Sequence, residues 1–518
     1  MKFKYAVLTH SLILNLCFAA YSLAQNPANL VLHSPVLQFN SRFDSTNITP
    51  FLIKYPKLSS FEKDLRAFYR NRAYCYAWFQ QGKLIEQAGN LTNRISNLKN
   101  DGVFQQFSYT GTLDSLIHKD DHSPEANTQL ELLLTAGYFM LSSVVWDGMD
   151  LATSKDNSWF LPRKKVAYSL YLDSLIKSPG SEFSTKEPVY RQYELLKSNL
   201  RKYRELDALD NWTKITGSIK QVKERLFKLG DYKKESQDTL SDPELRLALI
   251  QFQQRHGLKE TGKIDKQTLA EINVPIKTRI MQIVVNMERS RWLPIRSNRE
   301  YVAVNIPEFR MHVYHADSLL WSSNVVVGKA VHPTTLFYGE INQVVFSPYW
   351  NIPESIVRKE ILPGLKRDPS YLAKHNMEIT GRRNGLPVVR QRPGLTNSLG
   401  LLKFLFPNNY SIYLHDTPSK SLFNETARAF SHGCIRIEQP NKLAAFLLKD
   451  DNRWSDSAIK AAMNAGKERS VTISKKVPVY IAYLTAFIDR ENRLNFRKDI
   501  YQLDAGLAST IFSGAENY

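Results

Sequence analysis

The sequence predicts an α+β protein of several domains, in which helical regions precede a mostly β half. The chain has 518 residues, which is enough for about three domains of ~150 residues each. The spacing of apolar residues changes from three and four in the first half to two from Tyr301 onward. The 22 glycines, 23 prolines and three cysteines exclude collagen-like, low-complexity and disulfide-scaffold proteins.

Residues 1–24 have the order of a secretory signal peptide. Two lysines precede a mostly apolar stretch, and small residues stand at Ser22 and Ala24. We therefore predict cleavage after Ala24 and export, with residues 25–57 as an N-terminal segment. An uncleaved membrane anchor is one alternative. A lipid anchor on Cys17 is another, but bulky Leu16 stands where a lipoprotein signal normally has a small residue.

The chain is strongly basic, with 69 lysines and arginines against 50 acidic residues and a formal net charge of +19. No nucleic-acid motif accompanies this charge, so we expect an anionic polymer of the envelope as partner and no nucleic acid. Solubility alone explains the charge equally well. The most apolar later stretch, 132–146, is shorter than the ~20 residues of a membrane span. It predicts a buried helix, and we expect no transmembrane segment.

Residues 58–212 are predicted to form a helical scaffold domain. Apolar residues recur there at three- and four-residue spacing, as in the series from Leu84 to Ile95. Residues 157–162 and 178–182 are predicted to be loops between helices. Cys75 stands among aromatic residues and is predicted to belong to the core. We find no catalytic pattern in this region.

Residues 213–275 are predicted to form a compact unit of three helices. Gly230 ends the first helix, and Asp265 caps the third. The run FQQRHGLKETGKIDKQTLAEIN, Phe252 to Asn273, resembles the three-helix peptidoglycan-binding module of many wall enzymes. The resemblance implies a wall-binding module. The alternative is a helical spacer whose binding groove is no longer used.

Residues 276–298 are predicted to hold one amphipathic connecting helix, which Pro294 ends. Residues 299–518 are predicted to form a mostly β domain, because apolar residues alternate there with a period of two. Residues 351–390, rich in Pro, Gly and basic residues, interrupt the strands and are predicted to be an inserted cap. The predicted strands are 301–306, 311–315, 319–328, 341–347, 410–416 and 477–489.

A histidine and a cysteine in this domain form a pattern suited to acyl transfer. Alternation along the predicted strand 410–416 places His415 and Tyr413 on one face, so His415 should project at a strand end rather than into a core. The run SHGC, residues 431–434, follows. A cysteine becomes a nucleophile when a nearby imidazole or positive charge favours its thiolate. The preceding Gly433 has no Cβ to obstruct an acyl donor.

This run resembles the L,D-transpeptidase catalytic domain of the YkuD type. That motif is a histidine, about fifteen residues, and then Ser/Thr-His-Gly-Cys, and fifteen residues separate His415 from Ser431 here. The flanking runs 347–356, 390–408 and 477–489 resemble the large Gram-negative branch, which adds a helical scaffold, a wall-binding module and a capping subdomain. Arg436 stands where the commoner motif has asparagine; arginine also occurs in the large branch.

The resemblance implies Cys434 as nucleophile and His415 as base, with the second ring nitrogen of His415 bonded to the backbone carbonyl of Asp416. The Asp416 carboxylate is an alternative partner. The amides of Gly433 and Cys434 are candidates for the oxyanion hole. Further pocket and substrate residues are implied: Ser431 and His432 in the pocket, Arg436 holding a stem-peptide carboxylate or bracing the turn, and Tyr349 and Trp350 lining the donor channel or belonging to the core.

The implied activity is 3→3 cross-linking of peptidoglycan through a Cys434 thioester, with release of D-alanine. Peptidoglycan stem peptides and glycan are the implied partners, the periplasm of a Gram-negative-type envelope is the implied location, and a carbapenem is expected to acylate Cys434. The alternatives are an L,D-carboxypeptidase and a non-catalytic wall-binding scaffold; the His-first order disfavours a papain-like protease. We expect no cofactor and no metal, since HExxH is missing and His312 and His315 point to opposite faces of one strand.

Overall fold

The fold is given by a computed structural model that describes residues 42–119, 123–177, 187–209, 212–235, 238–294, 299–316 and 318–513. The predicted signal peptide 1–24, the first part of the segment 25–57 and the predicted loop 178–182 lie outside the described residues. The described residues combine helices with a large β-sheet. The predicted α+β class is confirmed.

The first part of the chain is mainly helical. Its elements are α1 (Ile48–Lys54), α2 (Glu62–Asn71), β1 (Phe79–Gln80), β2 (Lys83–Leu84), α3 (Glu86–Ser96), α4 (Thr110–Ile117), α5 (Pro124–Leu141), α6 (Leu151–Asp156), β3 (Trp159–Phe160), α7 (Tyr168–Lys177) and α8 (Arg191–Leu209). The apolar series predicted from Leu84 begins one element too early, because Leu84 pairs with Phe79 in a hairpin. Cys75 is buried, as predicted.

Helix α5 contains the most apolar stretch of the described residues. The helical stretch 124–156 is long and apolar enough to cross a membrane, with a mean hydropathy of 1.3, but 72% of its most apolar window is buried inside the protein. Leu132, Leu133 and Leu134 are at most 1% exposed. The prediction that residues 132–146 pack as a buried helix is confirmed, although a π-helical segment, Ser142–Asp147, follows α5.

A small three-helix unit follows, formed by α9 (Ile219–Leu229), α10 (Pro243–Arg255) and α11 (Lys266–Ile272). Gly230 ends α9 with a φ of +84°, and the Asp265 side chain accepts a hydrogen bond from the Thr268 amide at the start of α11. Both predicted helix boundaries are confirmed. The unit has its own hydrophobic core, built from Val222, Leu226, Leu249, Phe252 and neighbouring residues.

The connecting helix α12 (Ile276–Arg291) ends three residues before Pro294, as predicted. It is buried along most of its length and joins the two large halves of the protein. The Arg291 Nε donates to the Val145 carbonyl at 2.8 Å, and the Asn286 side chain donates to Thr485 Oγ1 at 2.7 Å. The helical part and the sheet therefore share one hydrophobic core.

The second half is a mixed sheet with an inserted cap. Its elements are β4 (Glu300–Asn305), β5 (Arg310–His315), β6 (Ser318–Gly328), β7 (Leu336–Phe346), β8 (Trp350–Asn351), α13 (Glu354–Ile356), α14 (Leu362–Arg367), α15 (Tyr371–Lys374), β9 (Met377–Arg383), β10 (Leu386–Gln391), β11 (Leu402–Leu405), β12 (Leu414–His415), β13 (Ala429–Ser431), β14 (Ile435–Ile437), α16 (Pro440–Leu448), α17 (Asp456–Met463), β15 (Arg469–Ala482), β16 (Ala486–Ile488), β17 (Leu494–Phe496) and α18 (Leu503–Ile511).

The main sheet runs in the order β11-β12-β14-β6-β5-β4-β15-β7-β3, and β11 also pairs with β7. The sheet therefore closes on itself as a small barrel. Its interior is filled by alternate strand residues such as Val302, Val313, Val325, Leu414 and Ile435, all fully buried. The neighbours of these residues along each strand face outward.

Two strand predictions and one loop prediction are wrong in extent. The predicted strand 410–416 reduces to Leu414–His415, because Ser411 has a φ of +56°, which breaks extended backbone. The predicted strand 477–489 is split between β15 and β16. The predicted loop 157–162 contains β3, because Trp159 and Phe160 pair in parallel with the start of β7. The scaffold region thus adds an edge strand to the sheet.

The cap comprises β8, β9 and β10 in one antiparallel sheet together with the short helices α13 to α15. Ile352, Val357, Ile361 and Val389 form its own small core. The cap follows β7 directly in the chain and precedes β11, so it sits beside the strands that carry the candidate active site.

Candidate active site

The pairing of two short strands brings the predicted histidine and cysteine together. Strands β12 and β14 are parallel neighbours, with His415 opposite Arg436. The Ile435 amide donates to the Tyr413 carbonyl at 3.2 Å, which places Cys434 beside Tyr413. Since Leu414 and Ile435 point into the barrel, His415 and Arg436 lie on its outer face. Neighbouring strands and a two-residue offset put His415 and Cys434 roughly 8 Å apart at Cα.

His415 is held by its neighbour along the chain. Its Nδ1 atom lies 2.5 Å from the carbonyl oxygen of Asp416, which is the hydrogen bond that the family resemblance implies. The Asp416 carboxylate is engaged elsewhere, since it accepts from the Leu401 amide at 2.9 Å and from Lys420 Nζ at 2.5 Å. The alternative of a carboxylate–imidazole pair is therefore wrong. Because a carbonyl oxygen can only accept a hydrogen bond, Nδ1 carries the ring proton. Nε2 is therefore the basic nitrogen of the ring.

His415 lies at the end of β12 and on the outer face of the barrel, as predicted, but it is only 4% exposed. Strand β11 covers it, with Lys403 paired opposite His415. Burial, together with the positive charges of Arg436 and Lys403, lowers the pKa of His415 to about 3, against the opposing effect of the Asp416 carbonyl. The imidazole is consequently neutral at physiological pH.

The Cys434 thiol is half-buried and free. Its sulfur lies 3.7 Å from the Ser411 carbonyl oxygen, to which it donates. Burial raises the pKa of the Cys434 thiol, while hydrogen bonds from Tyr413 and the charges of Lys403 and Arg436 oppose this shift. Among the described residues no hydrogen bond joins Cys434 to His415. The resting pair is thus a neutral thiol and a neutral imidazole.

The turn before Cys434 is braced from within. The Ser431 hydroxyl donates to the Cys434 carbonyl at 2.6 Å and accepts from the Gly433 amide at 3.1 Å. Gly433 has a φ of +115°, a conformation that side chains other than hydrogen rarely allow. The Gly433 amide is therefore occupied, which removes one of the two predicted oxyanion donors. The Cys434 amide makes no hydrogen bond within the described part of the chain.

Arg436 stands beside the pair with its guanidinium uncommitted. It is half-buried, and its Nε atom is buried without a hydrogen-bond partner among the described residues. Burial lowers the pKa of Arg436, although the guanidinium stays charged. Both predicted roles, holding a carboxylate and bracing the turn, need hydrogen bonds from this group. No described residue accepts a hydrogen bond from the Arg436 guanidinium, so the described contacts do not support the bracing role.

The two predicted aromatic residues differ in position. Trp350 packs in the cap core and donates a side-chain hydrogen bond to Tyr413, whose own hydroxyl donates to the Cys434 sulfur. The Tyr349 ring instead lies under Arg390, 4.1 Å from the guanidinium, and its amide donates to Glu468 at 2.7 Å. Trp350 is therefore connected to the cysteine, whereas the contacts of Tyr349 tie it to the base of the cap.

The predicted pocket residue His432 is exposed and faces the cap. Its Nε2 atom lies 3.5 Å from Glu360 Oε1 of the cap, and its ring centroid lies 5.5 Å from that of His332. Burial lowers the pKa of His432, with the Glu360 charge opposing the shift. Protonation of His432 would strengthen its contact with Glu360, so this contact joins the cap to the SHGC turn.

Two residues of the site were missed by sequence reasoning. Tyr413 bridges Cys434 and Trp350, and the same alternation that singled out His415 could have identified it. Lys403 lies 4.0 Å from the Tyr413 ring centroid, and its charge acts on both His415 and Cys434. Lys403 belongs to β11, whose pairing with β12 has no signal in the sequence. Lys403 and Arg436 provide the positive field around the thiol, and Tyr413 adds a hydrogen bond to it.

Metal-binding clusters of three or more His, Cys, Asp or Glu residues are not found in the described part of the chain. His312 hydrogen-bonds through both ring nitrogens, to Ser322 Oγ at 2.8 Å and Glu308 Oε2 at 3.1 Å. His315 is exposed beside Glu300.

Comparison with protein families agrees with this arrangement. Residues 299–480 match the L,D-transpeptidase catalytic domain of the YkuD family, residues 63–200 match the family described as "Scaffold domain", and residues 216–272 match the family described as "Putative peptidoglycan binding domain". The barrel with its His–Cys pair thus lies in the part of the chain that is similar to the YkuD L,D-transpeptidase catalytic domain. The two regions that precede it are similar to a scaffold domain and a peptidoglycan-binding domain.

A curated relative from Haemophilus influenzae, named "Putative L,D-transpeptidase", is 34% identical over 239 residues, which cover 43% of this chain and 48% of the relative. The chain thus spans about half the length of the relative it matches. Solved L,D-transpeptidases from Stackebrandtia nassauensis and Mycobacterium smegmatis are 15% and 12% identical and both have a TM-score of 0.21. They cover 51% and 36% of this chain, and this chain covers 89% and 60% of them. Superposition at this level carries no information about the site.

Proposed function

We propose that the protein is a peptidoglycan L,D-transpeptidase that forms 3→3 cross-links through a thioester on Cys434. The observation that carries the proposal is the pairing of β12 with β14, which sets His415 opposite Arg436 and next to a half-buried, free Cys434. A thiol, a neutral imidazole and two cations on one outer face form a constellation suited to attack on a carbonyl.

In the first half-reaction Cys434 attacks the carbonyl of the diaminopimelate residue in a tetrapeptide donor stem. His415 accepts the thiol proton at Nε2 and returns a proton to the leaving amine. The C–N bond to D-alanine breaks, D-alanine leaves, and the diaminopimelate acyl group stays on the sulfur as a thioester. The Asp416 carbonyl keeps the Nδ1 proton in place, which fixes the tautomer for this role.

The transition state carries negative charge on the carbonyl oxygen. The Cys434 amide is the donor we assign to this oxygen, because the Gly433 amide is committed to Ser431. Lys403 and Arg436 add positive charge nearby. We assign to Arg436 the binding of a stem-peptide carboxylate, since a guanidinium without an internal partner can form paired hydrogen bonds with a carboxylate.

In the second half-reaction the side-chain amine of a diaminopimelate residue in an acceptor stem attacks the thioester. His415 removes a proton from the amine, the new amide bond forms, and the thiol is released. The cap contributes Trp350 through Tyr413 and Glu360 through His432. A cap over the thioester would exclude water and favour the amine.

An L,D-carboxypeptidase would use the same thioester and resolve it with water, and a wall-binding scaffold would make no thioester. Incubation of the purified protein with disaccharide-tetrapeptides, analysed by mass spectrometry beside Cys434→Ala, separates the three. Cross-linking predicts a dimer that lacks one D-alanine. Tripeptide without dimer would indicate hydrolysis, and identical substrate recovery with both proteins would indicate a scaffold.

We also propose that the protein acts in the periplasm of a Gram-negative-type envelope, in wall organisation and cell shape. The proposal rests on the signal-peptide pattern of residues 1–24 and on the basic net charge of +19. A fusion of residues 1–40 to a reporter active only after export tests the first part. An inactive reporter, with the intact fusion protein recovered from the cytoplasm, would contradict it.

A further inference from the structure

A cavity of about 390 Å³ lies apart from Cys434 and His415. The outer faces of β4, β5 and β15 form its floor, and the β16–β17 hairpin, scaffold residues 190–192 and Gln254 of the three-helix unit form its walls. The residues around it include none of the candidate active-site residues. The volume is within the range of small-ligand sites, which commonly lie between domains.

The polar floor of the cavity is ordered by internal hydrogen bonds. His312 contacts Ser322 Oγ at 2.8 Å and Glu308 Oε2 at 3.1 Å, and the Asn305 side chain donates to the same Glu308 oxygen at 3.2 Å. The Glu308 carboxylate therefore already has hydrogen-bond partners within the floor. Such a preorganised floor does not have to rearrange when a ligand enters.

The residues around the cavity carry more positive than negative charge, even when the ion pairs among them are taken into account. Five arginines face three carboxylates around it. Asp489 and Glu491 both pair with Arg493 at 3.0 Å, and Glu308 pairs with His312. Arg191 and Arg310 are exposed, and neither makes a side-chain hydrogen bond or ion pair within the described residues. Free guanidinium groups at a cavity favour carboxylate ligands, which they bind bidentately.

Tyrosines provide the apolar part of the cavity. The Tyr301 and Tyr314 rings are stacked at 4.8 Å, and Tyr480 meets Tyr301 edge-on at 5.7 Å. The Arg490 guanidinium lies 5.3 Å from the Tyr314 ring centroid. Flat aromatic surface beside cationic groups suits a ligand with carboxylates on an amide backbone.

The cavity and the candidate active site share one face of the barrel. Arg436 pairs with Val326 of β6, and Ser322, four residues away on the same strand, pairs with His312. Positions two or four apart on a strand face the same side. Strand β4 lies three strand spacings from β14, roughly 14 Å along the sheet.

We propose that this cavity binds a carboxylate-bearing stem peptide of peptidoglycan, at a site separate from the stem that Cys434 attacks. The inference rests on the proposed function, because that function supplies the polymer. Arg191 and Arg310 bind stem carboxylates, and the tyrosine floor contacts the peptide. The enzyme thus holds the wall polymer at a second point, between the scaffold, the three-helix unit and the barrel.

The test uses the full chain with Cys434→Ala, which cannot form a thioester, and a disaccharide-tetrapeptide carrying a photoreactive group. After illumination, digestion and mass spectrometry should map labels to residues 299–316 or 486–497. Excess free tetrapeptide should compete with this labelling, and disaccharide without peptide should not. Labels confined to the region around residues 410–436, equal competition by the bare disaccharide, or no labelling would overturn the proposal.

Arg191→Gln with Arg310→Gln in the same background should lower cavity labelling at least ~5-fold, because both guanidiniums are lost. Arg66→Gln is the control, since Arg66 is a half-buried scaffold arginine paired with Glu62 at 2.8 Å, and it should leave labelling unchanged. Equal labelling in the double variant would overturn the proposal. Both arginines are exposed, so folding should persist, as circular dichroism will verify.

Carbapenem acylation of Cys434 separates this inference from the proposed function. In a chain with Cys434 intact, Arg191→Gln with Arg310→Gln should leave the acylation rate within ~2-fold of the parent protein, since the drug needs only the Cys434 site. A large loss of acylation would mean that the two arginines support the active site, against the proposal. Failure of the parent protein to acylate would instead count against the proposed function, whatever the labelling of the cavity.

Discussion

The Cys434 thiol donates to the carbonyl oxygen of Ser411, 3.7 Å away, and His415 takes no part in this hydrogen bond. The two candidate catalytic groups therefore rest as neutral neighbours on adjacent strands. Catalytic hydrogen bonds are often loose without substrate and tighten in the bound state. Under the proposed mechanism, the thiol has to turn from Ser411 toward His415 Nε2 before it attacks.

This resting state predicts the pH dependence of thiol reactivity. The pKa of the Cys434 thiol is raised by burial, and that of His415 is lowered to about 3. The thiolate fraction, and with it the rate of iodoacetamide alkylation, should then rise ~10-fold per pH unit between about pH 6 and pH 8. Mass spectrometry of quenched time points measures the rate. A rate independent of pH in this range would reveal a thiolate–imidazolium pair and contradict the neutral resting state.

Tyr413→Phe should reduce the reactivity of Cys434. The substitution removes the hydroxyl that donates to the sulfur and accepts from Trp350, so the thiol pKa should rise further. We expect carbapenem acylation at neutral pH to fall ~3- to 10-fold, which corresponds to roughly 1 kcal/mol for one hydrogen bond. Tyr371→Phe, in the cap, is the control, because the Tyr371 hydroxyl makes no hydrogen bond with the described residues. Equal rates in the two variants would contradict the assigned role.

Gly433→Ala should impair both folding and activity. The φ of +115° at Gly433 costs a side chain-bearing residue roughly 1–2 kcal/mol, although space is not limiting, since a Cβ would lie 3.8 Å from the Pro333 carbonyl. The shifted turn should displace the Cys434 amide and slow acylation at least ~10-fold. Gly381→Ala is the control, with no atom within 4 Å of its Cβ. Urea denaturation and acylation rates give the two readouts.

Arg291→Ala should destabilise the whole protein. Arg291 is fully buried, pairs with Glu288 at 2.5 Å and donates to the Val145 carbonyl at 2.8 Å. Truncation removes the charged partner of the buried Glu288 and leaves it the Met149 amide, which costs about 3–5 kcal/mol of unfolding free energy.

Chemical denaturation of the full chain, followed by circular dichroism, measures the effect of Arg291→Ala. Arg66→Ala is the control, because its surface pair with Glu62 contributes less than ~1 kcal/mol. Equal midpoints for the two variants would contradict this contribution of Arg291 to the stability of the shared core.

The elements with a strong local pattern were predicted from the sequence. Apolar alternation gave the strands that hold Val302, Val313 and Val325, and the helical period gave α12 up to Arg291. The N-cap at Asp265 and the stop at Gly230 follow from side-chain chemistry alone. Local signals of this kind suffice because each element satisfies its own backbone hydrogen bonds or buries one face.

The features that the sequence did not predict depend on distant segments. The burial of His415 comes from β11, and the edge strand at Trp159 comes from pairing with β7. Lys403 enters the site through the same pairing. The loss of the Gly433 amide as an oxyanion donor depends on the rotamer of Ser431. Long-range pairing and side-chain orientation leave no periodic trace in a single sequence.

The most direct test of the account is the intact mass of the protein after a short incubation with a disaccharide-tetrapeptide donor, quenched in acid and compared with Cys434→Ala. The account predicts an adduct equal in mass to the donor minus D-alanine on the parent protein, located on the peptide that contains Cys434, and no adduct on the variant. Persistent absence of the adduct on the parent protein, with no D-alanine released, or the same adduct on both proteins, would contradict it.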